Sequence, residues 1–424
     1  MDSGPIRVVI VGAGARGNKV FAHLIDTRPT PFALAAVVEP DDARREAFRA
    51  RYGLPASRCF ARLDEMLAAP RVADIAFVCT PDPVHYVICR AVSEAGYDVL
   101  LEKPIATNPE EVRQLLAVEH ACKNRIFVAH VLRYAPFFRA VRRILREGTL
   151  GAPQFLHLAE NIGHWHFAHS YVRGSWRRAD QTAPIILTKS SHDLDIIPWL
   201  VREQPTTVWS TGGLQYFTPA NQPEGAADRC TECTLQDRCI YSAVRFYVHD
   251  RPEWPFNVIA TDPDDTVLRR ERIAQGPYGR CVWKCDNDVC DHQTVVLGFP
   301  SGMHAVFSLH AHTADNTRKL TILCERGEIR GDVHRDHLEV SHFTGEKDVL
   351  RVEDVGLPVF GTDSHGGGDY ELLVALGEHL RDGRYAEMVT SLAASVPSHT
   401  LAFLAEASRA AGGTPRPVPA SEDG

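Results

Sequence analysis

Apolar and polar positions change rhythm between the two halves of the chain. In the first third, short β-branched runs ("IRVVIV", "FALAAVV", "DIAFVC", "DVLLE", "RIFVAH") alternate with stretches whose apolar residues recur at helical spacing. Strand–helix alternation of this kind predicts a parallel, doubly wound sheet. Ligands bind such sheets beyond the carboxyl ends of the strands. In the second half, "TVVLGFPSGMHAVFSLHAHT" and "RKLTILCERGEIRGDVHRDHLEVSHF" alternate residue by residue, which predicts a mostly antiparallel sheet. Leu372, Leu373, Leu376 and Leu380 fall on one helical face, with Asp369 as a cap and three glycines before it. "AAGGTPRPVPASEDG" reads as a disordered tail. The expected fold is α/β: a dinucleotide-binding domain over residues 1–135 and an α/β sheet domain over 136–411, with an insertion at 212–290 and a tail at 412–424.

The first apolar run leads into Gly12, Gly14 and Gly17 and then a helical pattern. G-x-G-x-x-G between a strand and a helix is a dinucleotide fingerprint. Gly12 permits the tight turn, Gly14 lets the backbone approach a pyrophosphate, and Gly17 lets the helix pack on the strand. Ala15 and Arg16 lie inside the same turn, where the helix N-terminus offers free N–H groups to phosphates. The second strand ends on Glu39, 22 residues after Gly17. An acidic side chain there accepts from ribose hydroxyls and repels a 2′-phosphate, favouring NAD over NADP. Arg16, Arg44 and Arg45 leave NADP open.

Composition narrows the partners. The 424 residues carry a formal charge of −8, which argues against nucleic acid. No apolar run is long enough to span a bilayer. The N-terminal apolar run continues into a glycine turn and not a cleavage site, so a cytoplasmic location is expected. The 11 cysteines would then be thiols or metal ligands more often than disulfides.

Thr80, Pro81, His85, Glu102, Lys103 and Arg133 all follow predicted strand ends, so they should line one crevice. Pro104 biases Lys103 toward extended geometry. "GAGARG", "CTPDPVH" and above all "LLEKPIA", with "EGTLGAPQFLHLAEN" and "SWRR…HDLDIIPWL" further on, resemble the Gfo/Idh/MocA family of nicotinamide-dependent sugar and cyclitol oxidoreductases. The resemblance implies a Rossmann domain followed by a large open sheet, with the nicotinamide between them. It also implies that Lys103 is the central active-site lysine and that Trp176 and Arg177 touch the cofactor. Self-association into a homo-dimer or homo-tetramer is part of the same expectation.

Residues 160–200 are the densest in polar and aromatic groups. His166, His169, Tyr171, Arg173, Lys189 and His192 are candidates to hold a polyol, which needs paired donors, acceptors and stacking faces. His192 keeps the position of the family's catalytic histidine, and Asp195 keeps the acid after it. The family's preceding acid is replaced by Thr188, with Lys189 beside it. A Lys103–Lys189–His192 arrangement is therefore expected, in which neighbouring ammoniums lower each other's pKa. His192 would take the hydroxyl proton while Lys103 steadies the oxyanion. Basic residues such as Arg173, Arg177 and Arg178 permit an anionic sugar without requiring one.

Cys230, Cys233 and Cys239 stand within ten residues, and Cys281, Cys285 and Cys290 follow about forty later. Disulfides, an iron–sulfur cluster, unlinked thiols and a structural zinc are the open readings. Zinc held by Cys230, Cys233, Cys239 and Cys285, with Cys281 as the alternative fourth ligand, is the favoured one. Two activities compete: an NAD-dependent oxidoreductase acting on a ring carbinol of a sugar or cyclitol, and an NAD-dependent glycosidase working by transient C3 oxidation and elimination. A non-catalytic NAD-binding regulator is the weakest reading.

Overall fold

In a computed structural model of the chain, residues 4–249, 254–255, 258–259, 265–351, 364–382 and 390–420 are described. Six strands form the first sheet: β1 (Ile6–Val11), β2 (Phe32–Val38), β3 (Cys59–Phe60), β4 (Ile75–Val78), β5 (Asp98–Leu101) and β6 (Ile126–Val128). Their order is β3-β2-β1-β4-β5-β6 and every pairing is parallel. The order reverses between β1 and β4, which opens the crevice at their carboxyl ends. Val8 and Ile10 bury one face of β1, and Val9 and Val11 the other, as a sheet covered on both sides requires.

The second sheet holds β7 (Pro153–Gly163), β8 (Thr207–Gly213), β9 (His292–Gly298), β10 (His304–Thr313), β11 (Thr317–Cys324), β12 (Gly327–Asp332), β13 (His337–His342), β14 (Lys347–Leu350) and β15 (Arg416–Pro417). They run β14-β13-β12-β11-β7-β10-β9-β8-β15. Only β7 and β10 pair in parallel among them. Helix Pro136–Glu147 turns Phe137, Phe138, Val141 and Ile144 into the core under this sheet. Helix Ser191–Val201 is buried along most of its length and packs on β7. Among the described residues no helix is long and apolar enough to cross a membrane.

Three boundaries differ from expectation. The first domain does not end near residue 135. Helix Gly368–Asp382 returns to it and sets Tyr370, Leu372, Leu373 and Leu376 beside Val8 and Phe77. The apolar stripe read from the leucines was right; its partner was not visible from sequence. The tail is ordered in part, because Arg416 pairs with Val208 and Pro417 with Thr207; residues 421–424 lie outside the described residues. Finally, β8 and β9 are direct neighbours, so the insertion leaves and rejoins the sheet at one place. It has a small core of its own, built from Cys230, Ala243, Val244, Tyr247, Val248 and Ile273.

Candidate active site

The glycine turn meets the spatial demands of a dinucleotide. Gly12 has φ +95°, and a Cβ there would lie 2.7 Å from the Cys79 carbonyl oxygen. A Cβ on Gly17 would meet the Gly12 oxygen at 2.0 Å. Nothing lies within 4 Å of a Cβ on Gly14, so the space above that backbone is free for a pyrophosphate. Glu39 is buried at the end of β2 and accepts from the N–H groups of Ala13 (2.9 Å) and Asp41 (3.0 Å). The Arg44 guanidinium stands 3.6 Å from it.

Lys103 follows β5 and is half-buried in the crevice. Its Nζ donates to the Thr188 carbonyl oxygen at 2.6 Å. Burial first, and Lys189 second, push its pKa down to about 8. The lysine pair expected from sequence is therefore close enough to interact, but burial is the larger cause. Among the described residues no carboxylate lies within ion-pair distance of Lys103. Lys189 instead pairs with Glu160 on β7 at 3.2 Å.

His192 sits on the first turn of its helix, buried, with Nδ1 lacking a partner. Burial and then Lys103 hold its pKa well below the usual value, so the ring is neutral. His130 and His365 flank it, each with ring centroids 5.6 Å away. His365 has φ 59° and precedes two glycines of positive φ, a backbone that turns the residue inward. Its Nδ1 lies 2.9 Å from Asp369 Oδ2. Asp369 also binds Arg16 (2.6 Å), which binds Glu102 (2.5 Å). A chain of contacts thus links the glycine turn to the histidines.

Glu160 and Asp193 form a buried carboxylate pair under Arg318, which reaches them at 2.8 and 2.7 Å. Burial pushes Asp193 up to about 7. Burial opposes ionisation of Glu160 too, but Arg318 and Lys189 overcome it and hold that carboxylate charged. Oγ1 of Thr188, Oγ of Ser190 and Ser191, Oε2 of Glu160 and Nδ1 of His192 are all buried without hydrogen-bond partners. Unpaired buried polar atoms are costly, and these five lie in the segment next to Lys103 and on the facing strand.

Other predicted site residues are engaged elsewhere. Arg133 makes a two-pronged contact with Asp195, 2.6 Å at each bond, and is not free for the cofactor. His85 has its two nitrogens against the Thr80 and Pro104 carbonyls (2.8 and 2.6 Å), tying the turns that follow β4 and β5. Trp176 donates to Asp82 at 2.9 Å, closing the sheet domain over the first domain. Arg177 pairs with Asp286 at 2.9 Å and Arg178 with Asp180 at 2.6 Å. His166 faces Asn316 (2.9 Å), and burial brings its pKa to about 3. His169 faces Tyr247 (2.8 Å) and stacks on Tyr278 inside the insertion. Tyr171 is buried between Phe167 and Trp176.

Arg173, expected at the substrate, is 1% exposed and points into the insertion. It donates to the carbonyls of Arg280 (2.8 Å) and Tyr241 (2.7 Å) and approaches Cys230 Sγ at 3.5 Å. Cys285 donates to the Cys281 carbonyl at 3.3 Å. Among the described residues no three His, Cys, Asp or Glu side chains are gathered as a bound metal ion requires, so a zinc site is not formed here.

Residues 6–130 match the oxidoreductase family with an NAD-binding Rossmann fold. Over these residues the chain is similar to the Gfo/Idh/MocA oxidoreductases. YteT of Bacillus subtilis, named as an oxidoreductase, is 23% identical over 73% of each chain. The inositol 2-dehydrogenase of Corynebacterium glutamicum is 28% identical over 48% of this chain and 56% of its own. The chain thus spans little more than half the length of that dehydrogenase. In fold, the chain matches an inositol dehydrogenase homolog from Azotobacter vinelandii, solved with NADH and myo-inositol. The TM-score is 0.69 at 16% identity, covering 98% of both chains.

Glu160, Asp193, Arg318 and His130 have no role that the sequence patterns reveal. The signal for Glu160 was its place on an inward-facing position of a strand that otherwise buries apolar residues.

Proposed function

We propose that the protein oxidises a secondary alcohol of an uncharged sugar or cyclitol, with NAD as the hydride acceptor. One observation carries this reading: a half-buried lysine with no carboxylate partner among the described residues, beside a neutral histidine and three buried hydroxyls without partners. When bound, NAD supplies the two-electron acceptor. The glycine turn and the amides after it would hold its pyrophosphate, and Glu39 its ribose. Glu39 favours NAD over NADP.

The chain's own groups do the rest. His192, held neutral by burial, accepts the hydroxyl proton. The Lys103 ammonium donates to the same oxygen as charge develops on it. Thr188, Ser190, Ser191 and Glu160 bind the remaining hydroxyls.

The uncharged substrate follows from the pairing of the other cations. Arg318, Lys189, Arg133, Arg177 and Arg178 each already hold a carboxylate, and Arg173 faces away. The named relatives are oxidoreductases, which favours net oxidation over redox-neutral glycoside cleavage. The test is NADH formation across neutral sugars, inositols, uronic acids and aryl glycosides. NADH with a neutral polyol supports the reading. Aglycone release without NADH, or turnover of uronic acids alone, overturns it.

A further inference from the structure

The insertion grips the sheet domain along one short segment. Helix His164–Phe167 continues into the helical turns Ala168–Arg173, and the side chains there part to two sides. His169 and Arg173 turn to the insertion. His169 lies 2.8 Å from the Tyr247 hydroxyl and stacks on Tyr278 with ring centroids 4.7 Å apart. Arg173 donates to the carbonyls of Arg280 and Tyr241. His166 and Tyr171 turn to the candidate active site, where, after burial, the charge of Glu160 acts on both.

Trp254 reaches back from the insertion over this segment. Its ring meets His166 at 4.8 Å, His169 at 5.8 Å and Trp165 at 6.0 Å, crossing each steeply, at 89°, 76° and 70°. Trp165 and His166 stack on each other at 5.6 Å. Three rings thus hold Trp254, yet 41% of it is exposed. A large rigid ring fixed in place while presenting that much surface is a recognition element and not a core residue.

Two observations say what it faces. The first is polarity. Asn316 Oδ1 accepts from the Gly163 N–H at 3.3 Å, so His166 gives it the Nδ1 proton at 2.9 Å and keeps Nε2 as an acceptor. Burial first, then Lys189, brings the His166 pKa to about 3, so this ring is neutral. An aromatic surface beside a neutral acceptor suits a ring with apolar faces and hydroxyls at its edge, which is a sugar. The second is place. Lys189 acts on Lys103 on one side and on His166 on the other. The order outward from the reacting carbinol is therefore Lys103, Lys189, His166, Trp254, and the wall stands beyond the ring being oxidised.

We propose that Trp254 is the wall of a second sugar subsite, so that the substrate is a neutral disaccharide or other glycoside with one ring at Lys103 and the next on Trp254. The proposal rests on the oxidation proposed above. The insertion is then a specificity element: it brings the wall, and His169 and Arg173 fix it to the segment that carries His166.

The test compares glucose with cellobiose and maltose, and galactose with lactose and melibiose, on the full chain. NADH formation is followed with NAD present. Binding to the NADH-loaded chain is followed by calorimetry, which needs no turnover. At least one disaccharide should bind about tenfold more tightly than its monosaccharide, the gain from one good aromatic contact. Trp254→Ala should bring that disaccharide down to the monosaccharide's level, and Trp254→Phe should keep most of the gain. Trp209→Ala, which removes a similarly exposed tryptophan of β8, should keep all of it. NAD affinity reports whether each variant is folded. The absence of a gain for every disaccharide overturns the subsite, and so does a gain that survives Trp254→Ala. A gain without NADH upholds the subsite and sinks the oxidation; NADH from monosaccharides with no gain does the reverse.

Discussion

Lys103 Nζ donates to the main-chain oxygen of Thr188 at 2.6 Å, so the lysine at the edge of the nucleotide-binding sheet is held by the helix start that carries His192. Thr188 contributes its backbone oxygen here, and not its side chain. Lys103→Ala should lower kcat for NAD reduction by about 10²–10³-fold, the usual cost of one oxyanion donor. NAD affinity, followed by fluorescence titration, should stay unchanged. Full turnover in this variant rules out the role.

Acid–base behaviour follows from the same residue. Burial lowers the Lys103 pKa to about 8, and the proposed chemistry needs the ammonium form. Oxidation measured as kcat/KM should therefore be level below about pH 8 and fall above it, about tenfold per pH unit. Stability changes in the opposite sense. The folded pKa lies under the unfolded one, so the unfolded chain binds the proton more strongly from pH 8 upward. This group's cost to stability fades as pH rises toward 10.5. A rate that rises through pH 8 would assign Lys103 as the base instead.

Two glycines three residues apart in the turn give a contrast. Gly14→Ala puts its methyl into open space, so melting should be unaltered while NAD affinity drops at least about tenfold. Gly17→Ala drives a methyl against the Gly12 oxygen, so both folding and binding should suffer. Thermal melts with and without NAD separate the two.

Asp369 is 1% exposed and serves Arg16 and His365 together. Arg16 first, with the His365 hydrogen bond after it, holds its carboxyl well below the usual range against the effect of burial. Asp369→Asn should destabilise the protein by about 3 kcal/mol in urea unfolding, because a buried guanidinium loses half of its counter-charge. Since His365 touches the His192 ring, KM for the polyol should rise as well.

How much of this was legible follows from range. The parallel sheet, its glycine turn and the lysine after β5 depend on local patterns, and each is where the sequence put it. Lys189 beside Lys103 was also readable, because both sit a fixed step from recognisable segments. Partners far apart in the chain were not. Nothing local shows that Arg133 spends its guanidinium on Asp195, or that Arg318 lies over Glu160 and Asp193. Arg173 looked like a substrate residue because it shares one polar segment with His166, His169 and Tyr171. A half-turn of helix sends it to the opposite wall, among the thiols.

The return of helix Gly368–Asp382 to the first domain bears on how the chain is made. Val8 and Phe77 wait for Leu373 and Leu376, and β6 waits for Thr390, whose oxygen receives the Val128 N–H. During synthesis the nucleotide-binding half emerges first yet stays unfinished, with apolar surface uncovered, until almost the whole chain has left the ribosome. A gene fragment ending near residue 135 should then yield insoluble product.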